Sequence, residues 1–196
     1  MIKKFLIFVV LVGLVSGFGR GMNVYEADLP HSSIAFKISH MVVSKVKGHF
    51  NDFSVTIKED PEDITKSSVA VVIKTASIDT GNERRDNHLR SADFFDAEKY
   101  PEITFHSNRI EKKGDKYVAE GTLNMHGVSK EITIPFEITG KIKDPWGNTR
   151  AGIEASTKLD RKDYGLNWNK TLDKGGLMVG NEVKIEILLE VVSKKN

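Results

Sequence analysis

The stretch SIAFKIS, residues 33–39, alternates apolar side chains with polar or small ones at a period of two. Ile34, Phe36 and Ile38 fall on one side of this pattern, and Lys37 and Ser39 fall on the other. Because successive side chains of a strand point to opposite faces, the alternation predicts a β-strand with one buried face. The stretch therefore favours a sheet protein over a helical one.

Alternation of this kind recurs along the chain and predicts eight strands in total. The other regular stretches are residues 53–58, 132–139 and 183–191, and the less regular ones are residues 69–76, 103–110, 117–125 and 151–159. No internal repeat or linker separates them. A chain of 196 residues is long enough to bury one sizeable core, so we expect a single domain.

The connections between these stretches indicate how the strands pair. Residues 113–115, 126–128 and 144–148 are short and carry turn formers, which predicts antiparallel hairpins. The connections over residues 77–100 and 160–180 are longer, and the first has helical signals. Eight antiparallel strands, each with one apolar face, can close into a barrel or pack as a two-sheet sandwich. Only the barrel removes the exposed edges.

The amino terminus has the pattern of an export signal. Lys3 and Lys4 precede an apolar run over residues 5–15, and small residues follow it. A membrane anchor would need about 18 or more apolar residues, and this run is shorter. We predict a signal peptide over residues 1–19, cleaved between about residues 17 and 21. The mature domain, residues 22–196, is then periplasmic or secreted, with no stable membrane span.

Charge and cysteine content exclude several classes of protein. Removing Lys3 and Lys4 with the signal lowers the formal net charge from +2 to zero, and a near-neutral domain is a poor partner for nucleic acid. The chain contains no cysteine, so it can hold neither a disulfide nor a lipid-bearing cysteine. The core alone must stabilise the mature domain.

Catalytic and metal-site motifs are not found in the sequence. The spacing of its six histidines matches neither a helical ligand pair nor a zinc module, and no Gly-x-Ser-x-Gly elbow or glycine-rich phosphate loop occurs. His40 continues the apolar side of the first strand, where a lone histidine is more often a hydrogen-bonded core residue than a ligand. We predict no catalytic residue, no metal and no cofactor.

The segment GNERRDNHLRSADFFDAEKYPEITF, residues 81–105, joins a dense run of charges to a Phe-Phe pair. A helix over residues 82–91 would place Asp86 and Arg90 four residues apart, where they can form an ion pair. In the favoured interpretation this helix caps one barrel end, with its charges in water and Phe94 and Phe95 closing an apolar bore. A second interpretation assigns a head-group site at the mouth, which binds a phosphate or another polar head. Its candidate residues are Arg84, Arg85, His88, Arg90, Phe94 and Phe95.

Four stretches carry a resemblance to a known family. They are HSSIAFKISHMVVSKVKGHF (31–50), SIDTGNERRDNHLRSADFFDAEKYPEITFHS (77–107), GTLNMHGVSKEITIPF (121–136) and RAGIEASTKLDRKDYGLNWN (150–169). In this order, and over about residues 24–192, the chain resembles the YceI-like family of exported bacterial proteins that bind lipids or polyisoprenoids. The resemblance implies an all-β fold: an eight-stranded antiparallel lipocalin-like β-barrel, here with a short helix in the connection between strands 3 and 4.

The resemblance also implies a function for the barrel lumen. A lipocalin-like barrel of this family holds a long isoprenoid or other lipid chain, and a bore of that kind must be apolar. Strand parity cannot distinguish a bore that holds a ligand from one that its own side chains fill. The candidate lumen residues are Ile34, Phe36, Ile38, His40, Phe53, Val55, Ile57, Ile134, Phe136, Ile138, Ile153, Ile185, Ile187 and Leu189.

We therefore predict non-enzymatic binding, storage or transport of a long-chain lipid in the bacterial envelope, such as an isoprenoid quinone or a prenyl phosphate. Two alternatives stay open. The protein could be an enzyme that acts on a bound lipid with His40 or His88 as the base, or a filled barrel that binds other proteins. The sequence is also compatible with a homodimer.

Overall fold

The computed structural model describes residues 21–171 and 176–193, so the predicted signal peptide lies outside the described residues. This part of the chain forms eleven strands and one α-helix. Their bounds are β1 (Asn23–Ala27), β2 (Ser33–His40), β3 (Ser44–Phe50), β4 (Phe53–Glu59), β5 (Ser68–Lys74), β6 (Ile78–Asp79), α1 (Glu83–Arg90), β7 (Glu102–Lys113), β8 (Lys116–Met125), β9 (Val128–Lys143), β10 (Thr149–Asp160) and β11 (Val179–Ser193). Single-turn 3-10 helices lie at Leu29–His31, Ile64–Lys66, Thr75–Ser77 and Arg161–Tyr164. Within the described residues, no helix has the length and hydropathy needed to cross a bilayer.

The strands form a closed antiparallel barrel. Neighbours follow the order β1, β4, β5, β7, β8, β9, β10, β11, and β11 pairs with β1 to close the ring. Both β1 and β2 pair with β11, β1 near Val191 and β2 over residues 179–188, so they are two halves of one interrupted barrel strand. In the same way β3 pairs with β2 and β4 pairs with β1. The fold is thus the predicted eight-stranded barrel, and α1 lies between its third strand, β5, and its fourth, β7.

Burial along the strands shows why these sequences form the barrel and where it is incompletely filled. Tyr25, Val55 and Val191 are buried in the core, as the period-two pattern requires. Other apolar side chains that pack against this core, including Phe36 and Ile134, are only half-buried. Close-packed interiors leave few voids, so half-buried apolar residues on an inner face indicate a hollow.

Helix α1 begins where the sequence predicts it, but the side chains of Asp86 and Arg90 make different contacts from those predicted. The Asn82 side chain accepts a hydrogen bond from the Arg85 N–H at 3.0 Å, which satisfies one of the free donors of the first turn. The predicted ion pair between Asp86 and Arg90 is wrong. Asp86 is buried and accepts hydrogen bonds from the backbone and hydroxyl of Thr80, so its carboxylate is already satisfied. Arg90 turns to backbone carbonyls instead, and both side chains anchor α1 to the loop before it.

Candidate ligand-binding cavity

The barrel encloses a cavity of about 750 Å³ beneath α1. Small-molecule sites in proteins commonly span about 300–1,000 Å³, so the cavity is large enough for a ligand of substantial size. Phe36 forms part of its wall on β2, and Gly48 on the neighbouring β3 leaves room for the ring. A Cβ at position 48 would lie 2.4 Å from Cζ of Phe36, which no side chain could tolerate without displacing the ring.

A second, smaller cavity of about 120 Å³ lies at the opposite end of the barrel. It is lined by residues from the far halves of the strands, such as Tyr25 and Phe136. An apolar layer separates the two spaces, because its members line both of them. This layer, which we call the partition, consists of Val71, Phe105, Ile134, Ile187 and Leu189. The bore therefore runs lengthwise through the barrel in two compartments.

Cationic and imidazole side chains line the α1 end of the larger cavity. Arg84, Arg85, His40 and His88 all contribute, and among the described residues no Asp or Glu lines this cavity. Arg85 is held in place, since its Nε donates to Thr80 Oγ1 at 2.7 Å and its Nη2 to Thr80 O at 2.9 Å. Positively charged groups are therefore concentrated at one end of an otherwise apolar bore.

The His88 ring sits between the charged and aromatic sides of this end. Its Nε2 lies 2.9 Å from Asp93 Oδ2, so the carboxylate orients the imidazole. The ring also meets Phe94 and Trp168 edge-on, with centroids 5.0 Å and 4.9 Å away. These contacts tie α1 to the segment after β10 and complete an aromatic wall under the helix.

Arg161 is a buried cation that also lines the larger cavity, with only 3% of its surface exposed. Its Nε donates to Gly180 O at 2.8 Å and its Nη1 donates to Leu166 O, but Nη2 has no hydrogen-bond partner among the described residues. Burial lowers the pKa of Arg161, and the charge of Asp160 offsets this only in part. A buried guanidinium held by neutral carbonyls alone favours an added oxygen acceptor nearby.

An ion pair spans the barrel at the opposite end. Lys141 Nζ on β9 lies 2.8 Å from both carboxylate oxygens of Glu59 on β4. In the ring of eight strands, β4 and β9 are diametrically opposed, so the pair crosses the opening. Burial raises the pKa of Glu59, but hydrogen bonds from Lys141 and Asn23 outweigh it and hold the pKa below its ordinary value. Lys141 Nζ also lies 5.2 Å from the centroid of the Tyr25 ring, a cation–π contact that further fills this end.

A second ionic network surrounds Arg150 near this end. Its Nη1 donates to Asp28 at 2.6 Å and to Glu190 at 2.5 Å, and its Nε donates to Asp144 at 3.0 Å. Within the described ranges, Asp28, His31 and Glu190 form a group close enough to hold a metal ion. Arg150 already compensates both carboxylates of that group. The arrangement is that of an ion-pair network that joins the ends of the strands.

The structure places most of the predicted site residues around the two cavities. Nine of the lumen candidates line the larger cavity, namely Ile34, Phe36, Ile38, His40, Val55, Ile134, Ile185, Ile187 and Leu189. Four more line the smaller one, namely Ile57, Phe136, Ile138 and Ile153. Phe53 is buried in the core but lines neither cavity. That any of these residues contacts a ligand stays a prediction.

The mouth candidates divide in a similar way. Arg84, Arg85, His88, Phe94 and Phe95 line the larger cavity. Arg90 lines neither cavity, and its role at the mouth stays a prediction. Its Nε donates to Ala76 O at 2.7 Å and its Nη2 to Ile78 O at 2.9 Å, so its guanidinium is committed to the loop that leads into α1.

Several lining residues were missed at the level of sequence. Val71 and Ile73 on β5 follow the same period-two pattern as the named candidates, so parity could have found them. Trp168 and Met178 lie outside the strands, where no periodic pattern applies. Arg161 was missed as well, since burial of a charged side chain cannot be inferred from alternation.

Comparisons with known proteins agree with this geometry. The profile of the YceI-like domain matches residues 25–191. A UPF0312 protein of Photorhabdus laumondii is 44% identical over 142 residues, which cover 71% of this chain and 74% of the relative. The crystal structure of the YceI protein of Campylobacter jejuni is 36% identical with a TM-score of 0.69, covering 81% of this chain and 91% of that one.

A more distant solved structure shares the fold alone. It is described as a polyisoprenoid binding domain from Saccharophagus degradans implicated in plant cell wall breakdown. Its sequence identity is 17% and its TM-score is 0.64, over 87% of this chain and 98% of that one. The domain profile spans nearly all of the barrel, and the match to the Photorhabdus laumondii relative covers more than two thirds of both chains. This chain therefore belongs to the YceI-like family.

Proposed function

We propose that the protein binds one long-chain amphiphilic lipid, with the tail in the bore and the head at the α1 end. The apolar cavity of about 750 Å³ supports this function most directly. Moving hydrocarbon out of water contributes about 0.8 kcal/mol per buried CH₂, so a tail that fills such a space can be held tightly. The same cavity argues against a barrel whose interior is filled by its own side chains.

The tail is proposed to be a polyisoprenoid. A branched prenyl chain is almost pure hydrocarbon, and the walls it would contact are branched and aromatic side chains such as Ile185 and Phe95. The distant structural neighbour described as a polyisoprenoid binding domain supports the same ligand class. An isoprenoid quinone and a prenyl phosphate both fit this tail requirement.

The head is proposed to present oxygen acceptors, and a phosphate matches the lining best. Arg84, Arg85 and Arg161 all line the α1 end, and the described lining residues offer no carboxylate to neutralise them. Planar guanidinium groups donate paired hydrogen bonds that match phosphate geometry. A neutral quinone carbonyl would use the donors but leave the charge uncompensated.

The protein is further proposed to act as a carrier in the bacterial envelope, without chemical turnover. The proposal of export is based on the signal-like pattern of residues 1–19. Intact-mass measurement of the protein isolated from the envelope should show that these residues have been removed. A full-length chain confined to the cytoplasm would contradict the proposed location.

Solvent extraction of the purified mature protein, followed by mass spectrometry, tests the binding function. We expect a prenyl lipid at about one molecule per chain, given a bore of this width. Delipidated protein should take up added prenyl phosphate or quinone, and comparison of the two affinities identifies the preferred head. An empty extract together with no uptake of either lipid would refute the proposal.

One observation favours the alternative of an enzyme that acts on the bound lipid. His88 lines the cavity and is oriented by Asp93 at 2.9 Å, an arrangement that also suits a general base. If the wild type hydrolyses a prenyl phosphate or a lipid ester and His88→Gln does not, the protein is an enzyme. Lipid that is recovered unchanged after long incubation favours the carrier.

A further inference from the structure

The tip of the β2–β3 hairpin presents apolar side chains to solvent. Val42 and Val43 are 81% and 86% exposed, and Met41 beside them is 38% exposed. Exposed single hydrophobic residues are common, but three consecutive ones at the end of a hairpin form a compact apolar projection. We call Met41, Val42 and Val43 the hairpin tip.

Two residues of the hairpin tip have a left-handed backbone conformation, which their side chains disfavour. Met41 has φ of 52° and Val42 has φ of 65°, both in the left-handed region. Gly, Asn and Asp are the residues that suit such a turn, and a β-branched residue is a clear outlier there. Apolar side chains are thus placed where the turn itself favours small or polar ones. Their presence is better explained by a contact that the tip makes than by the folding of the hairpin.

The hairpin tip continues directly from the rim of the larger cavity. Ser39 and His40, just before it, line the cavity, and so does the exposed Arg84 on α1. The Met41 N–H donates to Met178 O at 2.8 Å, and Met178 is also a lining residue. A surface that receives the tip would therefore lie next to the end of the cavity where a lipid head is proposed to sit.

The charge of the hairpin is uniformly positive. Residues 40–50 include the exposed Lys45 and Lys47 and contain no Asp or Glu. On α1, the exposed Arg84 side chain has no ion-pair partner in the described part of the chain. An apolar projection flanked by cations is the pattern that binds at the interface of an anionic bilayer.

We propose that the hairpin tip docks the protein onto the surface of an anionic phospholipid bilayer, with the cavity mouth facing the lipid that is exchanged. This inference rests on the proposed lipid-carrier function and adds the partner from which the ligand is taken or to which it is returned. Val42 and Val43 enter the interfacial region, while Lys45 and Lys47 meet lipid phosphates. Docking of this kind is reversible, because the apolar area of three side chains is small.

The test measures binding of the mature protein to vesicles made of equal amounts of phosphatidylcholine and phosphatidylglycerol. The double substitution Val42→Asp with Val43→Asp should weaken sedimentation with these vesicles about tenfold or more. Trp146→Asp is the matched control, since Trp146 is 79% exposed at the opposite end of the barrel and should not contribute. Loss of binding in the Trp146 variant, with the tip variant unaffected, would overturn the proposal.

A second variant separates docking from folding. Val42→Asn with Val43→Asn removes the apolar contact, and at position 42 it also relieves the backbone, since Asn tolerates the left-handed region. This variant should be at least as stable as the wild type and should still lose vesicle binding. Retained binding in a folded Asn variant would overturn the role of the tip.

Two further measurements distinguish this inference from the carrier function itself. Uptake of prenyl lipid from detergent solution should be unchanged in the tip variants, because Val42 and Val43 do not line the cavity. If the wild type takes up no lipid from detergent, the carrier function fails whatever the vesicles show. Equal binding to vesicles of pure phosphatidylcholine would overturn the proposal that the bilayer must be anionic. Self-association through the tip without vesicle binding would show that the tip contacts a second copy of the chain and not a bilayer.

Discussion

The two ends of the barrel use charged residues in opposite ways. At the end of the smaller cavity, Lys141 is paired with Glu59 across the opening, and Arg150 is shared among three carboxylates. At the α1 end, Arg84 and Arg161 line the larger cavity without a carboxylate partner in the described residues. Cations at the first end are paired with carboxylates, whereas among the described residues Arg84 and the Nη2 group of Arg161 at the second end have no such partner. Function is therefore expected at the end where the charges are uncompensated.

The largest effect is expected from a charge placed in the wall of the larger cavity. Phe36→Asp puts a carboxylate into an apolar space, and an unpaired buried charge costs several kcal/mol, so lipid uptake should fall at least about 100-fold. Phe136→Asp places the same charge beside the smaller cavity and should reduce uptake less. Uptake is measured by fluorescence competition with a labelled prenyl lipid. Normal uptake by a folded Phe36 variant would mean that the inward face is wrongly assigned.

Removal of the shared cation is the next test of the comparison. Arg150→Met leaves Asp28, Asp144 and Glu190 close together without their counter-charge, so the urea midpoint of unfolding should fall clearly. The matched change at the other end, Arg84→Met, should leave that midpoint unchanged. Similar losses in both variants would show that the two ends do not differ in the way proposed.

Acid should weaken the Glu59–Lys141 end specifically. Since the pKa of Glu59 is lowered in the folded state, its contribution to stability is present above its ordinary value of 4.5 and is lost as the pH falls through the folded value. Glu59→Gln should cost about 1 kcal/mol at neutral pH and less below pH 4. Urea unfolding across this range checks the slope. A variant that retains the full acid sensitivity of the wild type would assign that sensitivity to other carboxylates.

The smallest effect is expected at the exposed rim. Arg84→Gln should change the free energy of unfolding by less than about 0.5 kcal/mol, as for most surface substitutions. Affinity for a prenyl phosphate should fall about threefold, because one of several cations near the head is removed. Affinity for the corresponding neutral prenol should not change, and titration calorimetry can compare the two ligands. An equal loss for both would show that Arg84 contacts the tail.

The strands and the barrel could be predicted because alternation is a local property of the sequence. Ile34, Phe36 and Ile38 needed only their own spacing to define a strand. The interruptions between β1 and β2, and between β3 and β4, could not be predicted, because they depend on how the barrel closes. Whether the bore is hollow was also undetermined, since inward side chains show the same pattern in a filled and an empty barrel.

The sequence predicted most of the apolar side chains that line the candidate site but only some of its charged ones. Helical spacing suggested an ion pair between Asp86 and Arg90. In the structure Asp86 accepts hydrogen bonds from Thr80 instead, and Arg90 donates to two backbone carbonyls. Arg161 was not recognised as buried, because its position depends on the 3-10 turn at the end of β10 and on carbonyls from two other segments. Contacts between segments distant in sequence decide where an arginine points.

The partition between the two cavities has a consequence for which molecules fit. If the bore holds the proposed tail, a short one would fit in the larger cavity, whereas a longer homologue would have to pass the five side chains that line both cavities, among them Val71 and Leu189. In a homologous series, the affinity gained per added isoprene unit should therefore drop abruptly once, and recover only after the second compartment is entered. The barrel would then select ligands by chain length, and the five side chains of the partition would set the length at which affinity changes.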